Sequence, residues 1–470
     1  MGILPRSLGR SFNGLWFGTG AANLGDGVAL FTLPLLAIGV GASPGGVAAV
    51  TTAITLAWPL FGLHAGWIVD RVDRRALLAG VNLVRAVVLG GLTVAHLAGV
   101  LTLPLILAAA VLLGVGETLV DTALTSTIPL IVAPAARNRA NARIEGTINI
   151  TNQLAGPPLA GLLAAATLAL ATGAGAVLYV LAIAGILVMT LPPVPARTRT
   201  AEPSNSGEPL TSKPSHPGEP LTAGPSNPGE ALTTEHGHPG EVPAAGRVAT
   251  PAEEPQDSAR GGLSAGLRYL WGQPVVRTLT LYTAVMNLVW AAATALLVVY
   301  AVAPGPLGLS TTQYGLLLTG MAVGGLGASM VVERLRRRFG VTTLLIADAG
   351  GTVLLVLPVA VGAPAWVIAV GVVVAGAGSS IWRILVATIR QNLSPPELLG
   401  RVYAASRVLS WGVLPPGAAL AGVVAEVWGV RMAFGLATVV ALVVMVAFVR
   451  YALRTDLSAA IEAKEDALAV

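Results

Sequence analysis

The sequence predicts an all-α integral membrane protein of twelve transmembrane helices, arranged as two pseudo-symmetric six-helix bundles. Three observations predict it. Of the 470 residues, 54% are hydrophobic and 11% are charged, and several unbroken apolar runs exceed the ~18 residues that cross hydrocarbon as a helix. Arginines collect in alternate loops between those runs. The second half of the chain echoes the first.

The first six spans are expected at Asn13–Val40, Gly46–Ile68, Ala76–His96, Leu103–Ile131, Ile144–Leu170 and Gly175–Leu191. The second six are expected at Val276–Ala303, Gln313–Val332, Thr342–Val361, Ala365–Ile389, Val402–Val427 and Met432–Val449. One set of loops carries Arg6 and Arg10, then Arg71, Arg74 and Arg75, then Arg137 and Arg139, then Arg334 and Arg336 to Arg338, then Arg390, Arg450 and Arg454. The opposite loops carry Arg431 alone. Basic loops stay cytoplasmic, so both termini are expected inside. Only Lys213 and Lys464 among the 28 basic residues are lysine. That bias fits a GC-rich bacterial genome, so a bacterial plasma membrane is expected.

The net charge of +5 belongs to these topogenic loops and gives no reason to expect nucleic acid as a partner. The chain has no cysteine, which excludes disulfides, thiol catalysis and Cys-ligated metals. Met1 to Arg10 is too short and polar for a cleaved signal, so the first apolar run is read as a retained span.

Residues 1–191 form the first bundle and 263–454 the second, with a tail at 455–470. Between them, 192–262 is a different polymer, rich in Pro, Gly, Ser, Thr and Glu. It repeats Gly207-Glu208, Gly218-Glu219, Gly229-Glu230 and Gly240-Glu241 in step. An eleven-residue period can mark a right-handed coiled coil, but the prolines forbid helix and there is no apolar seam. A disordered cytoplasmic linker is expected, with His236 and His238 solvated and no metal site.

The echo is local and specific. Asp70-Arg71 and Arg74-Arg75 after span two find Glu333-Arg334 and Arg337-Arg338 after span eight. Gly156-Pro157-Pro158 in span five finds Pro415-Pro416-Gly417 in span eleven. Parallel repeats of this kind place a substrate path between the halves near the bilayer midplane.

The stretch Gly66-Trp67-Ile68-Val69-Asp70-Arg71-Val72-Asp73-Arg74-Arg75 carries five charges in its last six residues. It must therefore be a polar hairpin at the membrane surface. Its pattern, G-x-x-x-D-R-x-D-R-R, resembles the loop between helices two and three of the major facilitator superfamily, which usually has Gly where this chain has Asp73. The resemblance implies a cytoplasmic gate of Gly66, Asp70, Arg71, Arg74 and Arg75, with Glu333 and Arg334 as its second-half echo. It implies that Asp70 meets the start of helix eleven in the outward-facing state. That helix is expected to begin at Ser394-Pro395-Pro396-Glu397, a Ser cap with prolines in the first turn.

Asn152-Gln153-Leu154-Ala155-Gly156-Pro157-Pro158-Leu159-Ala160-Gly161 resembles the span-five motif of the superfamily's antiporters and drug exporters. Gly156, Pro157 and Gly161 match; Asn152 and Ala160 depart from it. Together with Gly114-Val115-Gly116-Glu117 and Gly25-Asp26, it looks like the enterobactin-exporter and macrolide-efflux branch. The arginine that usually precedes the span-four glycines is absent, so the acidic residues are read as its replacement.

Charges within the spans are the candidates for coupling. Ionised groups there cost at least ~2.5–3.5 kcal/mol each unless they face water or a partner. Asp26, Glu117, Asp121 and Glu145 are the proton-coupling candidates. Glu117 and Asp121 share a helix face, and close carboxylates resist double ionisation. A static bridge from Arg85 or Arg143 to that pair is the alternative. Trp16, Arg85, Trp290, Arg383, Arg407 and Trp411 are candidates to line the cavity, the arginines for an anionic or polar-headed substrate. His64 is expected to satisfy a backbone group.

No phosphate-binding loop of the G-x-x-x-x-G-K-[ST] type occurs, since neither Lys213 nor Lys464 follows Gly. Energy must then come from a gradient, and a charge crossing 100 mV gains about 2.3 kcal/mol. The expectation is a proton-coupled exporter of a small organic compound such as a drug, natural product or siderophore. It is expected to act as a monomer by alternating access, with no cofactor and no enzymatic activity. The alternative is a uniporter or proton symporter importing a small solute on the same fold.

Overall fold

A computed structural model describes residues 8–190, 258–455 and 457. The linker with its repeats and histidines, and nearly all of the tail, lie outside the described residues. The two halves together form one compact unit, Met1–Pro193 with Ala259–Val470.

The first half runs α1 (Arg10–Gly39), α2 (Pro44–Val69), α3 (Arg74–Leu97), α4 (Leu103–Ile131), α5 (Arg137–Ile148), α6 (Gly156–Ala166) and α7 (Leu168–Leu187). The second half runs α8 (Ser258–Gly272), α9 (Pro274–Ala301), α10 (Thr311–Phe339), α11 (Val341–Ala360), α12 (Ala365–Leu393), α13 (Leu399–Trp411), α14 (Leu414–Trp428) and α15 (Val430–Ala452). Eleven helical segments among the described residues are long and apolar enough to cross a bilayer. The twelfth crossing is span five, which is divided into α5, a π-helical stretch Asn149–Ala155 and α6. Pro157 and Pro158 lack the N–H groups that Gln153 and Leu154 need for α-helical bonds, and the chain shifts register just before them.

Local chemistry sets the helix starts. Ser43 Oγ accepts from Gly46 N, and Asp73 Oδ1 accepts from Ala76 N at 2.7 Å. Ser310 and Gln313 form a reciprocal capping box at the start of α10. Span five begins at Arg137 and span six at Leu168, both about seven residues before their expected starts. Apolarity marks the hydrocarbon zone, and α5 runs beyond it through polar residues; α7 instead starts within the apolar run, where Thr167 Oγ1 accepts from Leu170 N and separates it from α6. The start of span eleven is also corrected. Ser394 caps the end of α12 in an extended conformation, Pro395 and Pro396 lie in a turn, and α13 starts at Leu399. A residue before proline is pushed out of the helical region, so Ser394 ends a helix where it was expected to start one.

α8 begins within the stretch assigned to the linker. Its Leu270 is buried with Val276, Val402 and Ala405, and its Tyr269 hydroxyl donates to the Leu393 carbonyl. Gly266 lies so close to α13 that a Cβ would sit 2.3 Å from the Arg401 carbonyl. At 15 residues with two arginines, the segment is too short and polar to span.

The halves share an apolar core at one end only, although Arg407 and Trp411 of α13 also reach Trp58 in the middle of α2. Away from the arginine loops, one apolar core is shared by α1, α2, α4 and α7 of the first half with α9, α11, α12 and α15 of the second. At the arginine-bearing end the cores are separate: one around Phe12, Leu78 and Ile144, the other around Leu279, Leu345 and Phe448. Accordingly α14 packs on α2 and α6 on α10, across the halves, while α13 packs on α9 and α5 on α1, within each half.

Candidate transport site

α1 and its equivalent α9 are the most buried of the spans. Between the halves lies a cavity of about 370 Å³, within the range that holds a small molecule. Gly27, Leu30 and Phe31 of α1, Thr51 and Thr55 of α2, and Asn152 and Gln153 of the π stretch form one wall. Thr294 of α9, Tyr314 and Met321 of α10, and Leu355 of α11 form the other. Phe31 and Tyr314 meet across the halves with ring centroids 5.4 Å apart. The wall is apolar with scattered hydroxyl and amide groups, and no charged side chain lines it among the described residues.

The span-five motif builds the closed end. Gly156 crosses Gly27, where a Cβ would come within 2.8 Å of the Gly27 Cα. Gly161 meets the second half: Thr311 Oγ1 donates to its carbonyl at 3.0 Å, and a Cβ there would lie 2.5 Å from the Thr311 carbonyl. The Pro157 carbonyl approaches Gly315 just as closely. Small residues at these crossings let helix backbones touch.

Behind the cavity wall sits a buried charged cluster. Arg85 is 1% exposed and Asp26 6%. The Arg85 guanidinium donates to Asp26 Oδ1, and the Tyr179 hydroxyl donates to the same oxygen at 2.7 Å. The guanidinium lies over the Tyr179 ring, 4.8 Å from its centroid. Gly116 makes room, since a Cβ there would stand 3.1 Å from the Arg85 stem. Arg85 Nε and Nη1 are buried without partners. Glu117 lines the same small space as Asp26, Arg85 and Tyr179, and Leu30 and Ile54 border both that space and the cavity. Arg85 therefore bridges to Asp26 on span one, not to the Glu117–Asp121 pair. Arg143 pairs with no carboxylate among the described residues, and its Nη2 is buried unpaired.

The other predicted residues disperse. Asp121 and Glu145 are exposed, and Asp121 is within electrostatic reach of both Glu145 and Arg407. None of the six proposed lining residues lines the cavity. Trp16 donates to Thr147 Oγ1 at 2.6 Å, inside its own half. Trp290 packs on the shared core one turn before the lining Thr294. Arg85 is committed to Asp26, and Arg383 is exposed. Arg407 stacks between Trp58 and Trp411, 5.0 and 5.4 Å from their centroids. Charge in an apolar span seeks a partner, and these cations found theirs in the protein or at the surface. The hydroxyl and amide groups that do line the cavity, and Tyr179, carry no distinguishing pattern in sequence.

At the arginine-bearing end, the hairpin is fastened to its own half. Arg74 Nε donates to Ser126 Oγ at 3.2 Å, Arg75 donates to the Leu187 carbonyl, and Arg71 donates to the Trp67 carbonyl at 3.2 Å. Asp70 is exposed with no side-chain partner among the described residues, and Gly66 has open space around it. Glu333 accepts from Arg336 and Arg337 on its own helix, while Arg334 is exposed. His64 faces the Leu60 carbonyl at 3.3 Å, a backbone partner as expected.

Among the described residues, twelve crossings in two equivalent halves, closed at one end over a central cavity, define a polytopic membrane carrier. A profile described as Major Facilitator Superfamily matches residues 15–415, and the chain belongs to that family. No curated protein matches the sequence. Among solved structures, a bacterial homologue of the iron transporter ferroportin in an inward-facing state is similar, with a TM-score of 0.66 at 16% identity over 95% of this chain and 100% of that one. The nucleoside transporter NupG gives 0.67 at 12% identity over 95% and 100%. A bacterial homologue of the human lysosomal transporter Spinster, inward-facing and unoccupied, gives 0.61 at 13% identity over 94% and 96%. At these identities the likeness is one of fold. The chain is a secondary transporter and not an enzyme.

Proposed function

We propose that this transporter is a proton-coupled exporter of small, uncharged, amphipathic organic compounds. The observation that carries this reading is the shared wall. Leu30 and Ile54 face the cavity on one side and the Asp26–Arg85–Glu117 cluster on the other. A change of protonation in the cluster is thereby coupled to the substrate wall through two side chains. Glu117 is the proton carrier, since Asp26 is already held by Arg85 and Tyr179 and Glu117 makes no hydrogen bond or ion pair among the described residues. The two unpaired donors of Arg85 are available to an ionised Glu117. The uncharged cavity argues for a neutral substrate, and the match of Gly156, Pro157 and Gly161 to the antiporter motif supports export.

The arginine-bearing end is cytoplasmic on this reading, so a carrier closed at the far end faces inward. Asp70 is then a latch for the opposite state. α13 has no side-chain cap, and an anion at a helix N-terminus gains about 0.3–1 kcal/mol when exposed.

A second reading, uniport or proton-linked import, is favoured by the satisfied state of Asp26. Purified protein in proteoliposomes separates the two, with radiolabelled chloramphenicol, a small neutral amphipath, as the probe. A gradient imposed acid inside drives uphill uptake of the probe, and Glu117→Gln lowers it tenfold or more while exchange persists; uptake driven by acid outside instead supports proton-linked import. Probe movement indifferent to the gradient rejects coupling.

A further inference from the structure

α11 carries a buried carboxylate apart from the Asp26–Arg85–Glu117 cluster. Asp348 is 6% exposed. It has no hydrogen bond or ion pair among the described residues, and its chain neighbours Leu345 and Ala349 belong to the apolar core of the second half.

Its place in the fold is not arbitrary. α3 and α11 both end on a turn with a left-handed glycine, Gly99 and Gly362, each at φ 70°. Asp348 precedes Gly362 by the same interval as Arg85 precedes Gly99. Gly378 stands as far into α12 as Gly116 stands into α4. A Cβ on Gly116 would strike Arg85, and a Cβ on Gly378 would lie 2.7 Å from Asp348 Oδ1. Each half thus places one ionisable side chain at the same site against a glycine of the next helix. In the first half it is a cation with a carboxylate partner. In the second it is a carboxylate with no cation.

The groups facing it are few. α11 packs on α9, α10, α12 and α15. From α9, Tyr282 is within electrostatic reach, and its buried hydroxyl also lacks a partner. On α10, Glu333, Arg336 and Arg337 are engaged with one another. On α12, Arg383 is exposed and Arg390 stacks on Tyr403. On α15, Arg431 reaches the Ala360 carbonyl at the far end, and Arg450 lies in the last turn. An ionised, unpaired carboxylate is strongly disfavoured in this setting. A metal ion needs about six oxygen ligands, and no cluster of three metal-binding side chains occurs among the described residues. A proton needs one oxygen. Leu355, two turns further along the same face of α11, lines the central cavity.

We infer that Asp348 is a second proton-binding site of this carrier, set in the second half at the position Arg85 holds in the first. The inference rests on the proton-coupled reading for its role in transport, but proton binding itself is tested apart from it. Asp348 takes up a proton when water reaches it and gives it up when the halves reorient, so each half carries one.

The test is infrared difference spectroscopy between acid and alkaline pH on the purified full chain in lipid. A carboxylic-acid carbonyl band is expected that disappears in Asp348→Asn. In Gly378→Ala, which keeps the carboxyl but crowds it, the same band moves in frequency and titration midpoint. Difference spectra of both variants superimposable on the original protein would overturn the inference. In proteoliposomes, Asp348→Asn is expected to lower gradient-driven chloramphenicol accumulation at least tenfold while exchange persists. Full retention of that accumulation overturns its place in transport. If the unaltered protein shows no gradient-driven movement but the band behaves as expected, the coupling reading fails and the proton site stands.

Discussion

Glu426, in the last turn of α14, accepts the backbone N–H of Gly45 at 3.0 Å, so a carboxylate of the second half caps the first turn of α2 in the first. The contact joins spans two and eleven at the end away from the arginines. The latch proposed for Asp70 would join the same two spans at the other end. Two carboxylate-to-helix contacts at opposite ends, which cannot both be made, are what a two-state carrier requires.

Removing the first contact is expected to free the closed end. The carboxylate reaches this backbone N–H only while the end is closed, so Glu426→Ala shifts the closed-to-open ratio toward the open state. The chain has no cysteine, so spin labels at Ala42→Cys and Val427→Cys report the distance directly. An unchanged distance distribution in the Glu426→Ala background would remove the latch from the account.

The two glycines of the span-five motif are expected to behave differently. Gly161 touches the other half, and Gly156 touches α1 of its own. Gly161→Ala forces apart a contact made only in the closed state, so it favours the open state and slows turnover with little loss of thermal stability. Gly156→Ala overpacks a permanent crossing and costs about 1–3 kcal/mol of stability. Thermal unfolding of both variants beside the label distances separates the effects. Equal stability losses would mean the motif only packs.

The cavity amides give a third expectation. Asn152 and Gln153 face the cavity from a π-helical stretch, where the wider turn aims both side chains inward. Losing one net hydrogen bond to substrate costs about 0.5–1.5 kcal/mol. Asn152→Ala and Gln153→Ala are therefore each expected to weaken chloramphenicol binding about two- to tenfold, read by scintillation proximity on purified protein.

Much of this fold was legible because hydrocarbon is a simple solvent. Span four was bounded as observed, at Leu103–Ile131, because apolarity and helix end coincide there. Ser394 misled because a cap residue followed by two prolines marks a start in one context and a stop in another. Asp26 and Arg85 were each visible as charges in apolar runs, but sequence has no term for which helices meet, so their pairing was not. Asp348 was equally visible as a lone charge in span nine and was passed over. Aligning the two halves on Gly99 and Gly362 finds it. The cavity wall was invisible, since Thr294 or Met321 looks like any other membrane residue.

The Arg85–Asp26 pair sets the sharpest expectation. Removing one partner of a buried ion pair strands the other charge and costs about 3–5 kcal/mol. Asp26→Asn leaves Arg85 with the Tyr179 ring and with Glu117, which lines the same space, whereas Arg85→Met leaves Asp26 with one hydrogen bond from Tyr179 and a second carboxyl beside it, so the second loss is the larger. Both single variants are expected to unfold at markedly lower temperature. The double variant removes both charges and should recover most of the loss, with a coupling of about 0.5–3 kcal/mol. Transport then distinguishes a strut from a switch. If the pair only holds spans one and three together, the double variant regains uphill movement along with its stability. If Arg85 alternates between Asp26 and Glu117, the double variant is stable and exchanges substrate, yet no imposed gradient drives accumulation.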